Sequence, residues 1–147
     1  MTFISKKPGA GTIIIAAVSL FVLFYVSSCA TKVSFLNSTV VPAAEGTVKV
    51  KKDSNKNYDI KIELKNLAEP DRLQPSKSMY IVWMESSDNA TRNLGRISSS
   101  SAFMSSKLKG SFEAVSSVKP TKIFITAEDQ ADIQYPGSLV VLTTNNF

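Results

Sequence analysis

The stretch Tyr58-Asp59-Ile60-Lys61-Ile62-Glu63-Leu64 puts an apolar residue at every second position, with a charge in each gap. Successive side chains of an extended chain point to opposite sides, so this period belongs to a strand with one face buried and one in water. Gly46-Thr47-Val48-Lys49-Val50-Lys51 repeats it, with Val48 and Val50 on one face. The polar segment Lys52-Asp53-Ser54-Asn55-Lys56-Asn57 lies between the two runs, so they read as a hairpin.

More strands follow downstream. Met79-Tyr80-Ile81-Val82-Trp83-Met84 is continuously apolar and suits a central strand covered on both faces, although period alone also allows a short helix. Asn93 to Ile97, Leu108 to Ala114, Lys122 to Glu128 and Ser138 to Thr143 complete the set, while Ser98-Ser99-Ser100-Ser101 reads as a flexible loop. Pro70, Pro75, Pro120 and Pro136 fall between these runs, where a missing N–H does no harm. Seven or eight short strands without a helical period predict an all-β domain, a β-sandwich over residues 38–147. A core of that size needs no disulfide, and the single cysteine in the chain of 147 residues excludes an intramolecular one.

That cysteine ends a different kind of segment. Lys6 and Lys7 give a positive start, Thr12 to Tyr25 is apolar, and small residues lead to Cys29. The layout is that of a secretory signal, and the apolar run falls short of the roughly 20 residues needed to cross a bilayer. Val26-Ser27-Ser28-Cys29 resembles the bacterial lipobox, an aliphatic residue and two small ones before an invariant cysteine. The resemblance implies a signal-peptide helix over residues 1–28, a diacylglyceryl group on the Cys29 thiol, and cleavage before it. A lipidated tether would then span residues 29–37. Several acyl chains, at about 0.8 kcal/mol per buried CH₂, anchor where one chain does not. The rival reading is an uncleaved signal anchor with an incidental cysteine.

The exported part resembles the extracytoplasmic domain of anti-sigma-K-type factors. The likeness is carried by Tyr80-Ile81-Val82-Trp83, Asn93-Leu94-Gly95, Ile123-Phe124-Ile125-Thr126-Ala127-Glu128, and Pro136-Gly137 before Leu139-Val140-Val141-Leu142. Short lipoproteins from Bacteroidetes-like bacteria are similar through Val40-Val41-Pro42-Ala43-Ala44-Glu45-Gly46. The resemblance implies an immunoglobulin-like sandwich outside the cytoplasm. It does not carry sigma-factor binding, because the cytoplasmic module that holds the sigma factor in that family has no counterpart before the apolar run.

Several chemistries are excluded or weakened. Histidine is absent, which removes the commonest general base and zinc ligand. The net charge of +5 includes Lys6 and Lys7, and the other charges are scattered apart from Lys49, Lys51 and Lys52, so nucleic acid is not an expected partner. Trp83 could stack on a sugar, but its apolar neighbours favour the core. Glu128, Asp129 and Asp132 could offer oxygens to calcium, but their spacing lacks the pattern of an EF-hand loop. Tyr135-Pro136-Gly137 reads as a turn. Ser106-Lys107-Leu108-Lys109 and Ser116-Ser117-Val118-Lys119 fit the Ser-x-x-Lys pattern of penicillin-recognising enzymes, and Ser87-Asp88-Asn89 fits their second motif. Their order is wrong, and the Lys-Thr-Gly element is missing.

No catalytic residue, metal or cofactor is therefore expected. The reading is a non-enzymatic module of the cell envelope, held on a membrane (the outer one is favoured) by lipid on Cys29. Its partner would be another envelope protein or a surface polymer. A sensing accessory related to anti-sigma systems is the alternative, and a small hydrolase comes behind it.

Overall fold

A computed structural model of the protein describes residues 30–100 and 108–147. The expected signal helix, the lipobox residues Val26, Ser27 and Ser28, and Cys29 itself lie outside the described residues, as do Ser106 and Lys107. The rest is built from strands. They are β1 (Ala30–Ser34), β2 (Glu45–Lys52), β3 (Tyr58–Leu67), β4 (Met79–Ser86), β5 (Thr91–Arg96), β6 (Ser98–Ser100), β7 (Leu108–Ser116), β8 (Pro120–Glu128) and β9 (Val140–Thr143). A single 3-10 turn, Pro70–Arg72, interrupts them.

Every pairing is antiparallel, and the strands form two sheets in the orders β1-β2-β3-β7-β6 and β5-β4-β8-β9. With β1 set aside, these are the orders A-B-E-D and C′-C-F-G of an immunoglobulin-like sandwich. The inward residues meet in one core. Val48 and Val50 of β2 and Ile60, Ile62 and Leu64 of β3 pack with Tyr80, Val82 and Met84 of β4 and Ile123 and Ile125 of β8.

Two local irregularities keep this alternation in phase. The β3–β7 register shifts between Leu64 and Leu67, so both leucines are buried although they are an odd number of residues apart. Asn66 makes the step possible by taking a left-handed conformation (φ 57°), which asparagine tolerates better than most residues. In the other sheet the shift between Val82 and Trp83 faces Gly95, whose φ of 126° a side chain would disfavour.

Three expectations are corrected. The tether expected over residues 29–37 is folded from Ala30 onwards, because β1 pairs with β2 along its whole length. The chain then crosses to the other sheet: the Phe35 N–H donates to Gly46 O (3.0 Å), and the Leu36 N–H donates to Thr143 O (2.8 Å). Phe35 is buried, which a free tether would not allow. Ser98–Ser100, expected as a loop, forms β6 against β7, because ladder hydrogen bonds require backbone and not apolar side chains. Pro120 opens β8 instead of preceding it, since the first residue of a strand is a position where proline is tolerated.

Candidate functional site

β4 is buried on both sides. Tyr80, Val82 and Met84 face the core, whereas Ile81 and Trp83 join Phe124 in a second apolar cluster on the outer face of the four-stranded sheet. A sandwich normally leaves that face in water. Here Ile133, from the segment between β8 and β9, packs onto it. The Asn93 amide holds that segment by donating to Ala131 O (2.9 Å) and Ile133 O (3.0 Å).

Trp83 is consequently 0% exposed and serves as core. Its ring lies nearly parallel to that of its cross-strand partner Phe124, with centroids 6.3 Å apart. Its indole N–H donates to Thr126 Oγ1 at 2.8 Å, which satisfies the one polar group a buried tryptophan brings with it. No face of this ring is open to stack on a ligand.

The acidic candidates separate. Glu128 is buried and accepts the Gly137 N–H at 2.7 Å, tying down the Tyr135-Pro136-Gly137 bend. Asp129 pairs with Lys77 at 2.7 Å. Among the described residues, no group of three potential ligands converges as a metal site would require. Ser116, of the second Ser-x-x-Lys motif, is also engaged elsewhere. Ser116 Oγ donates to Val118 O and accepts the Val118 N–H, at 2.8 and 3.1 Å, in a local turn.

Asp88 caps the β4–β5 turn in a network that sequence alone does not reveal. It receives the Arg92 guanidinium, while the buried Ser86 hydroxyl donates to it at 2.6 Å. Ser86 also accepts from Arg92. The Arg92 and Ser86 hydrogen bonds hold the Asp88 carboxyl well below the usual carboxylate range.

The outer face of the five-stranded sheet is different in kind. Registers align Lys32 of β1 with Lys49 of β2, Lys49 with Lys61 of β3, and Lys61 with Glu113 of β7. The next row of the same face aligns Ala30, Lys51 and Asp59. All four lysines are exposed. Lys61 is neutralised by Glu113 at 2.7 Å, but Lys32, Lys49 and Lys51 form no ion pair among the described residues. Directly opposed like charges destabilise a sheet. Lys49 and Lys51 stand in a short basic run of the sequence, but Lys32 joins them only through the strand register.

Comparison with known proteins finds no matching family model, curated protein or solved structure.

Proposed function

We propose that the protein is a lipid-anchored cell-envelope module: it holds an immunoglobulin-like sandwich against a membrane through acyl chains on Cys29 and works by binding, not by catalysis. The observation that carries this reading is the junction at Cys29. A positive start, an apolar run and Val26-Ser27-Ser28 lead to the only cysteine in the chain, and the next residue, Ala30, is already part of strand β1. Cleavage before Cys29 would release an intact domain with the lipid attached directly at its first strand. Glu128, Asp129, Asp88 and Ser116, which could suggest catalysis, have structural partners in Gly137, Lys77, Arg92 and Val118, which favours a binding role.

Mass spectrometry of the mature N-terminus, from cells making the full chain, tests the reading. The expected product starts at Cys29 and carries a diacylglyceryl mass. The Cys29→Ala variant should lose that mass and accumulate uncleaved. A variant with an unchanged mature mass that still partitions with membranes would overturn the lipid assignment. Crosslinking in intact membranes should then recover the module with a specific envelope partner or polymer.

A further inference from the structure

We infer that the lysine-bearing face of β1 and β2 is a second membrane contact, which docks the sandwich flat on an anionic headgroup surface beside the lipid. The inference rests on the lipid reading of Cys29 and goes beyond it by assigning an orientation and a headgroup chemistry.

The first argument is reach. Ala30 is bonded to Cys29, and an extended chain advances about 3.3–3.6 Å per residue. Lys32, on an exposed and extended β1, is therefore within about 10 Å of the lipid attachment point. Lys51 stands opposite Ala30, one strand spacing away, and Lys49 stands opposite Lys32. The three ammonium groups thus lie within about one Debye length of any surface that the acyl chains enter. No flexible spacer separates them from it, because β1 pairs with β2 from its first residue.

The second argument is charge. Lysine on an edge strand discourages pairing with other chains, which would account for Lys32. Lys49 and Lys51 lie on β2, between β1 and β3, where that explanation does not apply. Of the acids of this face, Asp59, Glu63 and Glu113 belong to β3 and β7, on the side away from β1, and Glu45 stands at the opposite end of β2 from Lys51. The charge is therefore graded, with cations nearest the anchor. The uncompensated repulsion between Lys32 and Lys49 is relieved by an anion lying across both strands, and a phosphate-bearing headgroup surface supplies such anions at the required position. The lysines of this face are exposed among the described residues, whereas the outer face of the other sheet is closed by Ile133.

The full chain can be reconstituted in vesicles of zwitterionic lipid alone and in vesicles containing anionic phosphatidylglycerol, then treated with an amine-reactive reagent. Labelling of Lys32, Lys49 and Lys51 should fall about fivefold in the anionic vesicles, while Lys77 and Lys122, on the side of the other sheet, label equally in both. Protection should disappear near 1 M salt, where the Debye length is about 3 Å. Lys49→Glu is the companion variant. It creates opposite-charge neighbours for Lys32 and Lys61, so folding is preserved, and it should abolish the protection of Lys32 and Lys51.

Equal labelling in the two vesicle types, with Cys29 acylated by mass, would overturn the docking surface and leave the lipid reading standing. Protection with Cys29 unmodified would overturn the lipid reading and leave the surface standing, with the chain held by its apolar run. Protection seen in cells but absent from protein-free anionic vesicles would also overturn the inference and assign the lysines to a polyanionic partner.

Discussion

Trp83 shows how a residue can look like a site and be structural. It is the only tryptophan in the chain, and both its faces and its N–H are occupied. Trp83→Ala should cost about 3–5 kcal/mol in denaturant unfolding, the usual range for a large core cavity. Thr126→Val, which keeps the shape and removes the acceptor, leaves a buried indole N–H unpaired and should cost about 1–3 kcal/mol. Tyr80 is a buried titratable group. Its hydroxyl donates to Ala68 O at 2.9 Å, and burial pushes its pKa up to about 12. The folded value lies above the unfolded value of 10.0, so the contribution of Tyr80 is complete below pH 10 and is lost as the pH rises towards 12. Tyr80→Phe should flatten that alkaline loss and lower stability at neutral pH by about 1 kcal/mol. Asp88 has the opposite sign. Its lowered pKa contributes stability above the ordinary carboxylate value, and that contribution fades in acid as the group protonates.

At the scale of elements, what was legible in the sequence follows from which periodicities are local. β2, β3, β4 and β8 announce themselves because each carries its own run of inward-facing residues, and Tyr58 to Leu64 could hardly be anything but a strand. β1 was missed because Ala30-Thr31-Lys32-Val33-Ser34 has one large apolar residue; its pairing is dictated by β2, not by its own pattern. β6 was missed for a similar reason, since three serines carry no hydrophobic signal. The lysine row was hidden because register between strands is a long-range property. The lid over Trp83 was equally hidden, since nothing local to residues 129–139 says that Asn93 will hold them. Asn93→Ala removes both hydrogen bonds of that clasp. It should leave the sandwich folded, raise protease cutting between β8 and β9, and shift Trp83 emission to the red. Unchanged cutting and emission would mean that Ile133 alone holds the segment.

At the scale of the molecule, the proposed lipid on Cys29 makes the distance between attachment point and fold the important quantity. The ladder from Ala30 to Ser34 would leave such an anchor no slack. A leash can be supplied experimentally. Ten Gly/Ser residues inserted between Cys29 and Ala30 would give an r.m.s. separation of about 17 Å, roughly two Debye lengths at physiological salt. The insertion lies outside β1 and disturbs no ladder bond, so the unfolding midpoint should stay at its original value. Two consequences separate the contributions of lipid and lysine. If the lipid alone holds the protein, the domain drifts away from the surface and labelling of Lys32, Lys49 and Lys51 rises to its value in zwitterionic vesicles. If the lysine face also binds headgroups, the domain returns to the surface on its longer leash, and labelling rises only partly, by an amount that grows with salt. Combining the insertion with Lys49→Glu should then remove the remaining protection, because the leash lifts the enforced proximity and the substitution removes the attraction that replaces it.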